Sequence, residues 1–292
     1  MGRMEGNALL TIGIFPNSAK SDVAIVLDKI IKQLRAQSVK IFLPAEAAVS
    51  LGYSELALPR DVIKNQIDLA ITLGGDGTLL STARDIAVAG IPICGINMGR
   101  LGFLTEVELP ELDDRITKLI HSDYEIEERL MLDAIVRKDG HDTKVSSALN
   151  DVVITKGGFS RMLRLQLYID DIFTANYQAD GLIIATSTGS TGYSLSAGGP
   201  IINPNLKIVL ITPICPHTLS ARSLIISSDE KVRVNTEATN ADVVLTVDGQ
   251  IVHHLAPGDE VIIKRTAYSA KFIKFAGKSY YETLRTKLWR GD

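Results

Sequence analysis

The order of strand-like and helix-like segments constrains the fold of this 292-residue chain more than any other feature. In residues 1–124, short apolar runs typical of strands alternate with patterns typical of amphipathic helices. The strand-like runs are 9–15, 39–43, 67–73 and 91–96, and the helical patterns cover 23–34, a segment beginning near Thr78, and 110–120. This alternation predicts a parallel sheet covered by helices, because parallel strands are joined by helical crossovers. Such sheets bind ligands at the carboxyl ends of their strands.

From about residue 125 the pattern changes. Strand-length segments follow one another with almost no helix between them, separated by turns such as KDGHD, VDGQ and PGDE. We therefore expect an α/β N-terminal domain over residues 1–124 and an all-β, sandwich-like domain over 125–266. The tail, residues 267–292, contains a helical pattern and is expected to pack back on the first domain. A chain of this length is compatible with two domains.

The composition excludes several classes of protein. A net charge of −3 and a pI near 6.0 argue against a general nucleic-acid binder, which usually has a strongly basic face. No apolar run approaches the roughly 18 residues that a membrane span needs, and the N-terminus does not resemble a signal peptide. We expect a soluble cytoplasmic protein with no membrane or nucleic-acid partner. Cys94 and Cys215 lie in separate apolar segments without CxxC spacing, which predicts two buried free thiols.

The sequence GGDGT, residues 74–78, follows the third predicted strand. Gly74 and Gly75 permit a close approach of ligand to the backbone, and Thr78 is expected to cap the next helix, whose first N–H groups attract anions. No Gly-Lys-Ser/Thr follows, so this is not a Walker A loop. Asp76 can be a turn residue, a base that takes a proton from a hydroxyl attacking phosphorus, or a ligand of a metal ion that bridges phosphates.

A second loop, NMGRLGF at residues 97–103, follows the fourth predicted strand and is expected at the same edge of the sheet as Asp76. Arg100 in this loop can bind phosphate as a bidentate donor. A surface arginine in a turn is an equally good account of it.

Two segments of the second domain contain polar groups in unusual places. Asn150 and Asp151 interrupt the apolar run ALNDVVI, which predicts either contacts with an adenine edge and a ribose diol or a structural β-bulge. Residues 180–200 combine many Ser and Thr hydroxyls with four glycines from Gly189 to Gly199. They suit a polar ligand lying along the backbone, and a flexible linker is the weaker alternative.

These motifs together resemble the NAD kinase family. The segments GGDGT, NMGRLGF, the Asn-acid pair, TSTGSTGYSLSAGGP and PHTLSAR occur in the family's order and span nearly the whole chain. The first of them is shared with diacylglycerol- and sphingosine-type lipid kinases, whereas the long Gly/Ser/Thr segment is far more specific. The resemblance implies transfer of a phosphoryl group to the adenosine 2′-hydroxyl of NAD, which yields NADP.

The resemblance also implies roles for individual residues. Asp76 would be the catalytic base, Asn150 and Asp151 would hold the adenosine, and Asp180 would lie near the nicotinamide, often presented by a neighbouring subunit. The substrate-binding residues implied are Asp76, Gly77, Asn150, Asp151, Arg161, Gln178, Asp180, Thr191, Gly192, Tyr193, Ser194, Leu195, Ser196 and Gln250. The phosphate-binding residues implied are Gly74, Gly75, Gly77, Thr78 and Arg100.

Further expectations concern the donor, the metal and the assembly. ATP or polyphosphate would be the donor, Mg²⁺ would arrive with it without a dedicated protein site, and the protein would be a homodimer or homotetramer. Two residues before Asp180, family members with strict preference for NAD tend to carry arginine. Gln178 stands there, so we expect NADH to be accepted as well. A lipid kinase that shares GGDGT, and a non-catalytic dinucleotide sensor, are the alternative functions.

Overall fold

The computed structural model describes residues 9–99, 102–158, 162–218, 220–236 and 242–288. The chain forms two compact units. The first comprises Met1–Glu127 with Lys271–Asp292, and the second comprises Glu128–Ala270. The C-terminal residues therefore return to the first unit, as predicted for the tail.

The strands are numbered in chain order. They are β1 (Thr11–Pro16), β2 (Lys40–Pro44), β3 (Ala57–Leu58), β4 (Leu69–Gly74), β5 (Pro92–Asn97), β6 (Val107–Glu108), β7 (Glu125–Arg129), β8 (Leu132–Lys138), β9 (His141–Ala148), β10 (Asp151–Lys156), β11 (Leu163–Ile169), β12 (Ile172–Ala179), β13 (Gly181–Thr186), β14 (Ile208–Ile214), β15 (Leu224–Ser227), β16 (Val232–Thr236), β17 (Val243–Val247), β18 (Ile251–Leu255), β19 (Glu260–Arg265) and β20 (Ala270–Lys274).

The helices are likewise numbered in chain order. They are α1 (Val23–Ala36), α2 (Ala45–Ser50), α3 (Arg60–Ile63), α4 (Asp76–Ile86), α5 (Leu112–Ile120), α6 (Tyr193–Ser196) and α7 (Tyr280–Leu288), with short 3₁₀ turns at Ser54–Leu56, Ala87–Ala89, Leu109–Glu111 and Thr188–Thr191.

The first unit is built on a mostly parallel sheet with the strand order β3-β2-β1-β4-β5-β20-β7, and β6 pairs with β5. Strands β1, β4 and β5 run parallel, with Ile71 opposite both Ile14 and Cys94. Their carboxyl ends therefore share one edge, from which the loops that follow them emerge. Helix α4 begins in the loop directly after β4.

The apolar positions of this unit have the predicted roles. In α1, the five residues at helical spacing are all buried: Val23, Leu27, Ile30, Ile31 and Leu34. They share one core with the central strands and with Ile116 of α5. This amphipathic pattern explains why the segment folds as a helix against the sheet.

The tail is fixed to the first unit by both pairing and charge. Strand β20 runs parallel to β5, with Lys271 opposite Pro92. At the end of the strand, the Lys274 ammonium lies 2.7 Å from the Glu106 carboxylate, which is 4% exposed. A buried carboxylate needs such a partner, so this ion pair anchors the tail.

The second unit is an all-β sandwich. Its antiparallel strands form two six-stranded sheets with the orders β15-β14-β13-β10-β17-β18 and β12-β11-β16-β19-β8-β9. Side chains from both sheets meet in one apolar core, to which β10 contributes Val152 and Ile154 and β11 contributes Leu165 and Leu167. The second unit thus has the architecture that its turn spacing predicted.

Three local expectations are corrected by the structure. Helix α4 begins at Asp76 with Gly75 as its N-cap, so Thr78 lies inside the first turn and does not cap the helix. Asn150 precedes β10 and does not interrupt a strand, and no register shift is recorded along β10. Cys94 is a buried free thiol, but Cys215 is exposed, because it follows the last residue of β14.

Among the described residues, no helix combines the length and the apolar character needed to cross a membrane.

Candidate functional site

The carboxylate of Asp76 is held by the backbone of the loop after β5. Its Oδ2 accepts a hydrogen bond from the N–H of Phe103 at 2.8 Å, and its Oδ1 accepts from the N–H groups of Leu104 at 3.2 Å and Thr105 at 3.3 Å. Asp76 is the first residue of α4 and is only partly exposed. The loops after β4 and β5 are thus joined through this one side chain.

In this arrangement the Asp76 carboxylate keeps one hydrogen-bond acceptor position open. An ionised carboxyl group accepts at about four lone-pair positions, and three are occupied by the loop. Oδ1 accepts two hydrogen bonds, at 3.2 and 3.3 Å, whereas Oδ2 accepts one, at 2.8 Å. Oδ2 is therefore the atom that can accept a proton from a hydroxyl group.

The close approach of the loop requires glycine at position 102. A Cβ atom built on Gly102 would overlap Oδ1 of Asp76 and would lie 2.6 Å from its Cγ. Any larger residue would push the carboxylate away or displace the loop. This explains the second glycine of NMGRLGF from packing alone.

The predicted phosphate-binding residues form a single turn at the carboxyl end of β4. The C=O of Gly75 accepts from the N–H groups of Thr78 at 3.1 Å and Leu79 at 3.2 Å, which closes the first turn of α4. Gly77 is exposed on this turn, and Gly74 packs against the Thr78 side chain. Arg100, also predicted to bind phosphate, lies outside the residues that the structure describes.

In the second unit, Asn150 lies at the junction of β9 and β10. Its side-chain Oδ1 is buried and has no hydrogen-bond partner among the described residues. Gly189 packs directly on the backbone of Asn150, where a Cβ atom would collide with the Asn150 carbonyl group. An unpaired buried acceptor costs free energy, so a ligand that donates a hydrogen bond is favoured here.

Asp248 organises this junction and was missed by the sequence analysis. Its carboxylate accepts from the N–H groups of Leu149 at 3.1 Å, Asn150 at 2.8 Å and Asp151 at 3.2 Å. Its own N–H donates to the Asp151 carbonyl at 2.9 Å. VDGQ was predicted as a turn between strands, but nothing in the local sequence shows that its aspartate binds backbone N–H groups 97 to 99 positions away.

Asp151 lies beside Asp248 and is only 5% exposed, and both features change the pKa of its carboxyl group. Burial, and after it the negative charge of Asp248, raises the pKa of the Asp151 carboxyl group from 3.8 to about 7. Desolvation disfavours the charged form, and a like charge nearby adds to that effect. Near neutral pH this side chain can therefore both donate and accept hydrogen bonds.

The hydroxyl-rich segment is a packed element and not a flexible linker. It forms the turn Thr188–Thr191 and the short helix α6, and its Ser190 hydroxyl donates to the Ser187 carbonyl at 2.7 Å. Thr186 donates to the Leu149 carbonyl at 2.5 Å, which ties the segment to the Asn150 junction.

The predicted ligand-lining residues of this segment differ in exposure. Ser194 is fully buried, and its hydroxyl is within 2.9 Å of the Thr212 hydroxyl, so that group is committed inside the protein. Tyr193 and Ser196 are exposed, whereas Thr191, Gly192 and Leu195 are partly exposed. A Cβ atom on Gly192 would lie 3.6 Å from Asn150 Nδ2 and 3.8 Å from Asp151 Oδ2, which places Gly192 beside both.

The remaining predicted residues lie at the ends of strands. Asp180, between β12 and β13, pairs with the Lys156 ammonium at 2.7 Å. Gln178 is exposed, and its backbone carbonyl accepts a hydrogen bond from the backbone N–H of His217 at 2.8 Å. Gln250 is exposed in the β17–β18 turn. Arg161 lies outside the described residues.

No group of three or more His, Cys, Asp or Glu side chains suited to a metal ion is found in the described part of the chain. A divalent ion at Asp76 would therefore depend on ligands from a bound phosphate compound, which is how Mg²⁺ is commonly held.

Comparison with known proteins agrees over both units. A family model described as the ATP-NAD kinase N-terminal domain matches residues 13–124, and one described as the ATP-NAD kinase C-terminal domain matches residues 149–275. A protein named NAD kinase from Natranaerobius thermophilus is 43% identical over 282 residues, which cover 97% of this chain and 99% of that protein. Another from Moorella thermoacetica is 44% identical over 280 residues, covering 96% and 89% respectively.

Solved structures show the same similarity. The crystal structure of yeast NADH kinase complexed with NADH superposes with a TM-score of 0.88 at 27% identity, over 98% of this chain and 89% of that chain. An NAD kinase from Archaeoglobus fulgidus in complex with ATP has the same fold, with a TM-score of 0.76 at 24% identity over 95% and 98%. The domain models and the full-length relatives agree, and this chain belongs to the NAD kinase family.

Proposed function

We propose that this chain is an NAD kinase that transfers the γ-phosphoryl group of ATP to the adenosine 2′-hydroxyl of NAD. The observation that carries the proposal is the Asp76 carboxylate, fixed by three backbone N–H groups with one acceptor position open on Oδ2. A ribose hydroxyl is a poor nucleophile until a base takes its proton, and a fixed carboxylate can do so. Family membership supplies the acceptor and the donor.

In this mechanism the 2′-oxygen attacks the γ-phosphorus while Asp76 Oδ2 accepts its proton. The bond from the γ-phosphorus to the bridging oxygen breaks, and ADP leaves with the electron pair. Gly74, Gly75, Gly77 and Thr78 supply backbone at the first turn of α4, whose N–H groups favour phosphate oxygens. Mg²⁺ would neutralise charge on the donor phosphates.

The second unit would bind the dinucleotide. The unpaired Oδ1 of Asn150 suits a donor such as the adenine amino group. The Asp151 carboxyl group suits the ribose hydroxyls, and Gly192 lies beside it. Thr191, Gly192, Tyr193, Leu195 and Ser196 offer partly or fully exposed positions along the same segment. Ser194 would act through its backbone or its packing, since its hydroxyl is bonded to Thr212.

The proposal extends to finer properties that the resemblance implied. NADH would be accepted because Gln178 replaces the arginine of strict relatives, and the similarity to a yeast NADH kinase supports this. Polyphosphate would be an alternative donor, and Arg100 and Arg161 would bind ligand. The protein would be a homodimer or homotetramer in the cytoplasm. Asp180 would contact the nicotinamide bound by a neighbouring subunit.

A coupled assay tests the proposal directly. Purified protein is incubated with Mg-ATP and NAD, NADH or diacylglycerol, and NADP(H) or lipid phosphate is measured. Formation of NADP is expected. Formation of lipid phosphate alone would identify a lipid kinase, and NAD binding without any phosphorylation would identify a dinucleotide sensor.

A further inference from the structure

The hydroxyl of Thr105 is buried without a partner. Thr105 is 8% exposed, and its Oγ1 has no hydrogen bond to any residue that the structure describes. An unsatisfied buried hydroxyl destabilises the folded protein, and valine would fill nearly the same volume without that cost. The hydroxyl at this position therefore needs an explanation other than packing.

The position of this hydroxyl points to Asp76. A Cβ atom built on Gly102 would lie 2.7 Å from Thr105 Oγ1 and would overlap Asp76 Oδ1. Both oxygens therefore border the same small space beside Gly102. The backbone N–H of Thr105 already donates to Asp76 Oδ1 at 3.3 Å. That bond is long, so the hydroxyl of the same residue can replace it as the donor to Oδ1.

The rest of the side chain fixes this orientation. Thr105 Cγ2 is 3.5 Å from the Cβ position of Gly95 in β5, so the methyl group packs toward the sheet. A β-branched side chain has few χ1 conformers, and the packing of its methyl group selects one. The hydroxyl consequently remains on the side of Asp76.

We propose that Thr105 is a positioning residue for phosphoryl transfer, whose hydroxyl donates to Asp76 Oδ1 and keeps Oδ2 directed at the acceptor hydroxyl. The catalytic consequence rests on the proposed function, since it presumes that Asp76 is the base. Small displacements of a catalytic group reduce rates steeply. We therefore expect loss of the hydroxyl to act on kcat and not on the binding of either substrate.

The first test compares three variants of the full-length protein. Thr105→Val should lower kcat about 10- to 100-fold with KM for NAD and ATP within about twofold of wild type, as expected for a change in orientation. Thr105→Ser, which keeps the hydroxyl, should restore most of kcat. Thr72→Val is the matched control, because Thr72 on β4 is also fully buried and its Oγ1 also lacks a described partner. Wild-type kcat in Thr105→Val, or an equal loss in Thr72→Val, would overturn the proposal.

A second test does not need turnover. The melting temperatures of wild type, Thr105→Val, Asp76→Ala and the double variant form a double-mutant cycle, with Asp76→Asn in place of Asp76→Ala if the alanine variant does not fold. Interacting side chains give non-additive shifts, and the same cycle built with Thr72→Val should be additive. If wild type does not phosphorylate NAD but the Thr105 cycle is non-additive, the proposed function fails and the contact stands. Additive shifts refute the contact, whatever the activity.

Discussion

The Oδ2 atom of Asp76 accepts the backbone N–H of Phe103 at 2.8 Å. This single hydrogen bond connects the first residue of α4 to the loop that follows β5. It also defines which oxygen of the carboxylate keeps an open acceptor position. The contact therefore links the structure of two loops to the chemistry proposed for one of them.

Asp76→Asn is expected to separate binding from catalysis. An amide accepts hydrogen bonds but cannot take up the hydroxyl proton, so kcat should fall about 10²- to 10⁴-fold, the range typical of general-base catalysis. Affinity for NAD, measured calorimetrically without a phosphoryl donor, should change little. A variant that keeps more than about a tenth of wild-type kcat would remove Asp76 as the base.

Gly102→Ala is expected to displace the same carboxylate sterically. The added Cβ atom would overlap Asp76 Oδ1 and lie 2.7 Å from Thr105 Oγ1, so kcat should fall although no functional group is lost. Gly99→Ala is the matched control in the same loop, since its Cβ atom would meet only Lys20 Nζ at an ordinary 3.7 Å. Equal kcat values for the two variants would contradict the predicted clash.

Asp151 is expected to make stability depend on pH. Burial and Asp248 raise its pKa from 3.8 to about 7. Between these values the folded protein binds more protons than the unfolded chain, so this group's contribution to the free energy of unfolding falls as pH rises. The loss between pH 5 and pH 8 is at most about 3 kcal/mol.

Urea unfolding of wild type and Asp151→Asn at pH 5 and pH 8 measures this contribution, because other titrating groups cancel in the difference. The free energy of unfolding of Asp151→Asn, minus that of wild type, should be larger at pH 8 than at pH 5. A difference independent of pH would show that the Asp151 pKa is not raised.

Asp248→Asn is expected to weaken NAD binding. Asparagine tolerates the left-handed backbone at this position, where φ is 52°, but its amide has one oxygen in place of the two that hold Leu149, Asn150 and Asp151. KM for NAD should rise severalfold with a smaller change in kcat. Asp259→Asn controls for loss of a buried turn carboxylate, since Asp259 accepts from the N–H of Ala256 in the turn between β18 and β19. Similar KM values for both variants would refute a specific role of Asp248.

The sequence predicted the fold well because the strands of all three sheets are encoded by local periodicity. The five apolar positions of α1 and the alternation of β-strands and helices needed no long-range information. The start of α4 was placed at Thr78 instead of Asp76, because its N-cap is Gly75 and no side chain signals the cap. Helix ends without a polar cap are the least visible from sequence.

The site was predictable only in part, for a different reason. Asp76 stands out because it lies among glycines directly after a predicted strand, and Asn150 because it interrupts an apolar run. Asp248 and Thr105 do not, since their partners are backbone groups or side chains brought together by folding. The Asn150 N–H and the Asp248 carboxylate are 98 positions apart and meet only because β10 pairs with β17.

Gln178→Arg is expected to narrow the choice of acceptor. Gln178 is exposed on β12, so the longer side chain can be accommodated without disturbing the core. Family members with strict preference for NAD tend to carry arginine at this position. The ratio of kcat/KM for NADH to that for NAD should therefore fall at least about tenfold, which corresponds to about 1.4 kcal/mol. Asn176→Arg, on the same face of β12 and also exposed, should leave the ratio unchanged. If wild type already rejects NADH, or both variants alter the ratio equally, Gln178 does not determine acceptor choice.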